Sequence, residues 1–411
     1  MRLPAKRHPI ETGSWSVALC GLAALAVAMG IGRFAFTPIL PMMQEDLGVT
    51  IAQGSWLASA NYLGYLIGAL SAMRGEIRQG FAIRMGLLII SLTTIAMGFV
   101  TDFTGWIALR VLPGIASAWV LVHMSSWALE RLGKAHRADL GGTVYTGVGA
   151  GIVFAGGVCL LLAHLPSAAT DAWIAMGITA LCVTAAVWRR VGGGEEPRAG
   201  ASTAKSSPRE IPEFWRLVFC QGALGLGYII PATFLPVIAK QMIADPHLFG
   251  WAWPVFGAAA VASTLLAARL SRIVGQRRLW ILGNLVMAAG MLVPIVLPGL
   301  AGVAIAALCV GGTFMVITMA GFQEARRVAG AHARVLMAAM TSAFALGQIT
   351  GPLLVSGFVA MQFGFAIPLV AAASALVLAA YVLLKGEIHE SNRSHAPSAA
   401  GVPERGAAKG H

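Results

Sequence analysis

A series of long apolar stretches constrains this chain more than any other feature of its sequence. A helix needs about 20 apolar residues to cross about 30 Å of hydrocarbon. Charged residues make up only 11% of the chain, against about 25% in soluble domains, which excludes an ordinary soluble protein. The sequence predicts an all-α membrane protein with twelve transmembrane helices. The stretches that meet the length requirement are 17–41, 54–73, 82–100, 105–129, 140–163, 171–188, 215–239, 249–268, 279–298, 301–322, 335–358 and 364–384.

Basic residues mark one side of the predicted membrane protein. Cytoplasmic connections between transmembrane helices are enriched in Arg and Lys. If the N-terminus is cytoplasmic, 26 of the 29 basic residues fall on that side, and the exceptions are Arg33, Arg110 and Lys240. We therefore expect a multi-pass protein of the bacterial inner (plasma) membrane with both termini in the cytoplasm. Because the net charge of +12 follows this topology, it does not predict a nucleic-acid partner.

An internal repeat divides the chain into two related halves. The segment GIGRFAFTPILP at 30–41 matches GLGYIIPATFLP at 225–236 without a gap. The same offset pairs Trp56 with Trp251 and Gly80 with Gly275. We therefore predict two pseudo-symmetric six-helix bundles, at 1–190 and 214–385. Segment 191–213, rich in Gly, Ser, Pro and charge, is predicted to be a flexible cytoplasmic linker, and 386–411 a disordered cytoplasmic tail.

Several motifs resemble the major facilitator superfamily. RVLPGIASA at 110–118 resembles the R-x-x-x-G pattern of its fourth helix, and ARLSRIVGQRR at 268–278 resembles its G-x-L-x-D-R-x-G-R-R loop, with Arg272 in place of the aspartate. GIGRFAFTPILP together with GSWLASANYLGYLIG at 54–68 is similar to the YbfB/YjiJ-like branch. The resemblance implies the twelve-helix fold of that superfamily, in which the first, fourth, seventh and tenth helices line a central cavity.

Glycines at regular spacing are predicted to let helices approach closely or to take part in gating. GVGAGIVFAGG at 147–157 resembles the G-x-x-x-G-P-x-x-G-G pattern of superfamily antiporters, with Ile152 in place of the proline, which favours export. GIGRFA at 30–35 also fits a dinucleotide-binding pattern, but neither the strand before it nor the acid after it is present. The residues assigned to helix packing or gating are Gly30, Gly32, Gly114, Gly147, Gly151, Gly275, Gly347, Gly351 and Pro352.

Two arginines inside apolar stretches are candidate substrate ligands. An ionisable group in hydrocarbon is costly, so Arg33 and Arg110 each indicate a functional site, although either could instead snorkel to the headgroups or fasten helices. At 100° per residue Arg33 shares a face with Gly30 and Thr37. Its repeat partner is Tyr228, which shares a face with Gln221. The candidate substrate-binding residues are Arg33, Thr37, Arg110, Gln221 and Tyr228.

His123 is the candidate for proton coupling, because every acidic residue lies in a connection, a terminus or the end of a stretch. A structural histidine that bonds a neighbouring helix is one alternative; proton coupling would then fall to a carboxylate at the end of a stretch, such as Glu130 or Asp139, or be absent. His123 and Arg110 lie on opposite faces of an unbent helix, so only one could face the cavity unless Pro113 kinks the helix. Asn61, Tyr62, Tyr65, Tyr145, Asn284 and Gln348 are interpreted as helix-to-helix hydrogen bonders.

Taken together, these patterns predict a secondary transporter that moves a small anionic or carboxylate-bearing solute by alternating access. We expect no enzymatic activity, no cofactor or metal, and a monomer whose partners are the solute and the lipid bilayer. A non-transporting sensor of the same fold is the first alternative. A polytopic membrane enzyme is the second, but it would need a cluster of catalytic side chains that the short outer connections do not supply.

Overall fold

The computed structural model describes residues 9–73, 77–162, 165, 168–191, 213–242, 251–297, 299–360 and 366–395. Within these ranges the chain is helical and contains no strand. A helix lies over each of the twelve predicted stretches, and eight segments of the described residues are long and apolar enough to cross a membrane. The helices are α1 (Pro9–Leu25), α2 (Phe36–Asp46), α3 (Ile51–Met73), α4 (Gln79–Met97), α5 (Phe103–Lys134), α6 (Gly141–Leu162), α7 (Ala168–Val191), α8 (Phe214–Met242), α9 (Ala252–Val274), α10 (Gln276–Val296), α11 (Leu300–Ala329), α12 (Ala333–Ala360) and α13 (Ala366–His395).

The first predicted stretch contains a π-helical segment, Ala26–Phe34, between α1 and α2. Such segments are rare and occur frequently at functional sites. A Cβ atom on Gly30 would overlap the backbone of Gly151 on α6, and a Cβ atom on Gly151 would lie 2.7 Å from the Cα atom of Gly30. The two glycines therefore allow the π segment to pack backbone to backbone against α6. Arg33 lies in the last turn of this segment.

Two aspartates at helix ends satisfy backbone donors. The side chain of Asp102 accepts a hydrogen bond from the backbone N–H of Gly105 at 2.7 Å and caps the start of α5. The side chain of Asp46 accepts one from the backbone N–H of Ala169 at 2.8 Å, which ties the end of α2 to the start of α7. These acids therefore have structural roles at the ends of apolar helices.

The helices before and after the 191–213 segment pack in corresponding ways. α5 packs against α3 and α4, and α4 also packs against α7. In the later part, α11 packs against α9 and α10, and α10 also packs against α13. α1 and the π segment pack against α6 as α8 packs against α12. Extensive contacts between the two parts join α6 to α9 and α3 to α12. The repeat in the sequence is thus accompanied by a repeat in helix neighbours.

The predicted segment boundaries differ from the helix ends in places. The last helix ends at His395, whereas the sequence placed the start of a disordered tail at 386. The interior of the predicted linker, 192–212, lies outside the described residues, as does 396–411. The helix α5 continues to Lys134, beyond the predicted end of its apolar stretch at 129. The prediction stopped early because the last turn contains charged residues, which a search for apolar stretches leaves out.

Candidate solute site between the helices

Arg33 is a buried cation surrounded by rings. Its side chain is 4% exposed, and its Nη2 donates a hydrogen bond to the side-chain carbonyl of Gln348 on α12. The guanidinium carbon lies 4.0 Å from the ring centroid of Tyr65 and 5.3 Å from that of Tyr62. Its Nε and Nη1 have no hydrogen-bond partner among the described residues. The guanidinium therefore retains two free donors in a desolvated place.

Arg110 is a second buried cation close to the first. Residue Arg110 is 3% exposed, and its guanidinium carbon lies 4.6 Å from the ring centroid of Phe36. Asn61 on α3 donates to the backbone carbonyl of Arg110 at 3.0 Å. The charges of Arg33 and Arg110 interact with each other, and both act on the hydroxyl of Tyr62. Within the part of the chain that the structure describes, no acidic side chain pairs with either arginine.

Tyr228 lies near Arg33, whereas Thr37 and Gln221 do not join them. The ring of Tyr228 is buried and stacks on Phe314, with centroids 5.0 Å apart. Thr37 is exposed. The rule of 100° per residue assumes a regular α-helix, but Arg33 lies in a π segment whose wider turns change the angle between successive side chains. Gln221 is buried two turns before Tyr228, beside Gly321 of α11.

A row of stacked rings adjoins the arginine. We use the name aromatic row for Tyr228, Phe314, Phe256 and Trp253, whose successive centroids are 5.0, 5.4 and 5.3 Å apart. Phe34, beside Arg33, contacts this row at Phe314, with centroids 6.1 Å apart and rings nearly perpendicular. The four rings of the row belong to helices after the 191–213 segment, and Phe34 belongs to the earlier part, so the contact between Phe34 and Phe314 joins the two parts of the chain.

His123 is fully buried and bonds within its own helix. Its Nδ1 donates to the backbone carbonyl of Trp119 at 2.9 Å, and its own backbone carbonyl accepts from the side chain of Gln79 at 3.1 Å. The bond to Trp119 fixes the orientation of the imidazole ring, and the bond from Gln79 links α4 to α5. Arg110 is also buried although it lies on the opposite face of the same helix.

The glycines assigned to packing lie mostly at close contacts. Gly147 faces the carbonyl of Leu22, and Gly347 faces α8 at Gly222. Gly275 instead lies between α9 and α10 with a φ of 84°, a conformation that favours glycine. Atoms of neighbouring helices also lie close to Gly32, Gly114 and Gly351. The side chain of Pro352 lies outside the description.

Gln348 and the rings around Arg33 were not predicted as site residues. The sequence interpretation treated Gln348 as a helix-to-helix hydrogen bonder between two packing glycines, Gly347 and Gly351. The available signal was the polar side chain of Gln348 inside an apolar stretch, next to glycines that repeat the glycine motif of the fifth predicted helix. Tyr62 and Tyr65 carried the same signal and were given the same interpretation, whereas Phe34 and Phe344 carried none, because apolar stretches of membrane proteins contain many aromatic residues.

A buried ionic network at the ends of α8, α10 and α11 was also missed. Arg277 donates to Glu324 at 2.8 Å and to Glu213 at 3.2 Å. Glu213 also pairs with Arg216, and Glu324 also accepts two hydrogen bonds from Arg327, each of 2.9 Å. Glu324 is only 2% exposed, so its charge is neutralised by arginines rather than by water. This network joins three helices at one end of the later part of the chain.

An open groove between α10 and α13 is a poor candidate for a solute site. Its lining is apolar and includes Leu285, Leu292, Val377 and Tyr381. Leu285, Val377 and Tyr381 are 42%, 48% and 52% exposed, as expected of side chains that meet lipid. The cluster around Arg33 therefore remains the candidate site.

Apolar helices that pack around buried cations are typical of multi-pass membrane transporters. The model of the family described as "Uncharacterised MFS-type transporter YbfB" matches residues 25–384. The chain therefore belongs to this family, the YbfB branch of the major facilitator superfamily, and is a membrane transporter. The match confirms the resemblance inferred from the first two predicted helices. No curated protein matches the sequence significantly.

Proposed function

We propose that this protein is a secondary transporter that carries a small organic anion, with a carboxylate or a similar group, across the bacterial inner membrane. In this proposal twelve helices form two six-helix bundles, both termini face the cytoplasm, and the monomer works by alternating access, with export the favoured direction. The protein has no enzymatic activity in this scheme. Its membrane-transporter class is established by the family, and the solute and the site are proposed from the buried arginines.

The observation that carries this proposal is the pair of buried arginines without an acidic partner. Moving an isolated charge out of water costs several kcal/mol even after the protein relaxes. An opposite charge offsets that cost. Arg33 keeps Nε and Nη1 unpartnered, and Arg110 keeps Nε unpartnered, among the described residues. An incoming anion would supply both the missing charge and the missing hydrogen-bond acceptors.

Arginine suits this role better than lysine. Its planar guanidinium presents two parallel N–H donors to a carboxylate, whereas an ammonium group acts as a point charge. The two-donor edges of a guanidinium are Nε with Nη2 and Nη2 with Nη1, so the bond from Nη2 to Gln348 leaves Nε and Nη1 as unpartnered donors on either side of it. Tyr65 covers one face of the guanidinium, so an anion can bind in its plane, at Nε or Nη1, and complete a two-donor contact by sharing or replacing the bond from Nη2.

The bond from Arg33 to Gln348 supports a link between binding and conformational change. It joins the π segment of the earlier part to α12 of the later part. An anion that takes over hydrogen bonds of the guanidinium would weaken or reorganise this connection. A ligand shifts a conformational equilibrium only through its different affinity for the two states, and in this proposal the bond between Arg33 and Gln348 is the contact through which the affinities differ.

The test is binding and uptake by purified protein in lipid. Wild-type, Arg33→Lys and Arg33→Ala proteins would be titrated with benzoate, hexanoate and succinate, with calorimetry as the readout, and then assayed for uptake into proteoliposomes. We expect weaker binding for Arg33→Lys and none for Arg33→Ala. Arg84→Ala is the matched control, because Arg84 also stacks on a ring, that of Trp188, and donates to a carbonyl outside the site.

The alternative role of Arg33 as a helix fastener makes a different prediction. In that case Arg33→Ala would lower the melting temperature while folded protein still bound carboxylates as wild type does. Wild-type affinity in a folded Arg33→Ala protein would therefore refute the anion site. Binding without any uptake would refute transport and favour a sensor.

A further inference from the structure

Four rings surround the guanidinium of Arg33. Besides Tyr65 and Tyr62, the rings of Phe34 and Phe344 have centroids 5.9 Å from its carbon atom. Contacts between a cation and ring faces stabilise a desolvated charge, but rings accept no N–H···O hydrogen bond. The surroundings of Arg33 therefore hold the charge in place while its Nε and Nη1 donors stay unsatisfied.

Two of these rings connect the guanidinium to the aromatic row. Phe34 contacts Phe314 with centroids 6.1 Å apart, and Phe344 stacks on Tyr228 with centroids 6.3 Å apart. Within the row, Trp253 and Phe256 are nearly parallel, with an interplanar angle of 4°. A continuous aromatic surface thus begins at the free donors of Arg33.

The polar groups left unsatisfied around Arg33 can all donate. They are Nε and Nη1 of Arg33, the amide nitrogen of Gln348 and the hydroxyl of Tyr65. Gln348 and Tyr65 are fully buried, so water does not satisfy them from the surface. A group with several acceptor atoms and no donor fits this arrangement, and an ionised carboxylate is such a group.

The rest of the ligand must match the rings. A sugar would require partners for several hydroxyl groups, and only two of the four rings, those of Tyr62 and Tyr65, carry a hydroxyl. The ammonium group of an amino acid would be repelled by the charge of Arg33. A carboxylate held at the unpartnered donors of Arg33 would bring a directly attached ring against Phe34 and Phe344, whose rings flank the same guanidinium. Offset or edge-to-face contacts between rings are favourable beyond the area they bury.

We infer that the solute is an aromatic carboxylate, whose carboxylate binds Arg33 and Gln348 and whose ring packs on Phe34, Phe344 and the aromatic row. This inference rests on the proposed function and specifies the class of solute. It assigns a binding role to Gln348 and to six rings, those of Phe34, Phe344 and the aromatic row. It also explains why ring-bearing helices from both parts of the chain converge next to one cation.

Three small probes of similar size test the inference. Benzoate has the charge and the ring, cyclohexanecarboxylate has the charge without the aromatic face, and benzamide has the ring without the charge. We expect wild-type protein in nanodiscs to bind benzoate about tenfold more tightly than cyclohexanecarboxylate, as one good ring contact would give. Benzamide should give no measurable heat of binding.

Ring variants identify which surface gives the preference. In Phe314→Leu the ratio of the two carboxylate affinities should fall to about one, because benzoate loses more affinity than cyclohexanecarboxylate. Phe256→Leu, deeper in the row, provides a second variant if Phe314→Leu does not fold. Phe99→Leu is the control, because Phe99 is 69% exposed and lies outside the site. Its ratio should equal that of wild type.

The outcomes separate this inference from the proposed function. Equal affinities for benzoate and cyclohexanecarboxylate, both lost in Arg33→Ala, would overturn the aromatic class and leave the anion site standing. An unchanged preference in both Phe314→Leu and Phe256→Leu would overturn the role of the row. Benzamide binding as tight as benzoate, or no binding of either carboxylate, would overturn the anion site and the aromatic inference together.

Discussion

The guanidinium of Arg33 donates a hydrogen bond to the side-chain carbonyl of Gln348, a residue 315 positions away. The contact is possible because helices approach closely on both sides of it. Gly30 lets the π segment meet α6, and Gly347 lets α12 meet α8. A neutral amide is the acceptor in place of a carboxylate, so the positive charge of Arg33 remains available to a ligand.

Replacing Gln348 by glutamate should fill the anion site from within the protein. The new carboxylate would pair with Arg33, so benzoate affinity should fall by at least about tenfold while the melting temperature stays equal or rises. Calorimetry and thermal unfolding of the purified variant measure both quantities. Gln53→Glu serves as the control, since the side chain of Gln53 accepts hydrogen bonds from Thr50 at the start of α3, away from the site.

Retained benzoate affinity in folded Gln348→Glu would show that the solute does not bind at this guanidinium. A second variant, Gln348→Leu, separates charge from packing. It removes the acceptor without adding charge, so it should lower stability by about 1–3 kcal/mol and leave carboxylate binding measurable.

The sequence predicted the helices and Arg33 for a simple physical reason. Apolar length and the cost of a charge in hydrocarbon are properties of a local segment, and both can be read without knowledge of packing. The position of Gln348 relative to Arg33 depends on how α12 packs against the π segment, which no local pattern specifies. The exposure of Thr37 likewise depends on the π segment, which the 100° rule does not include.

The buried ionic network escaped prediction for a related reason. Glu213 lies at the end of the predicted linker, where a carboxylate is expected to be solvated. Glu324 lies near the end of an apolar stretch, where a charge usually reaches the headgroup region. Only the packing of α8, α10 and α11 brings both acids to Arg277 and buries them.

Adding a methyl group to Gly30 should destabilise the contact between the π segment and α6. The Cβ atom would meet the backbone of Gly151, which cannot rotate away as a side chain could. We expect Gly30→Ala to lower stability by about 1–3 kcal/mol, as overpacking of a tight contact does, and to weaken carboxylate binding because Arg33 lies on the same segment. Thermal unfolding in detergent measures the first effect.

The control for this variant lies on the same helix as Gly151. A Cβ atom on Gly157 would meet nothing within 4 Å, so Gly157→Ala should be neutral or slightly stabilising. Equal melting temperatures for Gly30→Ala and wild type would contradict the close approach of the two backbones.

Removing Arg277 should strongly destabilise the later part of the chain. Arg277→Met leaves Glu213 and Glu324 without a shared partner, and breaking a buried ion pair in this way costs about 3–5 kcal/mol. Because Arg327 still pairs with Glu324, the lower end of that range is expected. Lys134→Met is the control: the Lys134 side chain is 71% exposed, and exposed pairs contribute little.

A double variant tests whether the loss comes from uncompensated charge. Adding Glu324→Gln to Arg277→Met removes one of the stranded carboxylates, so part of the lost stability should return. If the double variant loses as much stability as the two single variants lose together, the residues act independently, which would contradict the geometry of the network.

Replacing His123 by glutamine should separate proton coupling from solute movement. Histidine changes charge near neutral pH, and His123 is fully buried in α5, which also carries Arg110. The described apolar helices offer no carboxylate at a similar depth, since Glu324 at the end of α11 is paired with arginines. A glutamine keeps a hydrogen-bonding side chain for the Trp119 carbonyl but cannot carry the proton.

We therefore expect His123→Gln proteoliposomes to lose accumulation of labelled benzoate driven by a pH gradient, while exchange of benzoate across the membrane continues at the wild-type rate. His332→Gln, at the start of α12 outside the apolar stretch, should behave as wild type. Exchange in the same sample shows that the variant is folded, so accumulation that persists would exclude His123 as the proton carrier and assign it a structural role in α5.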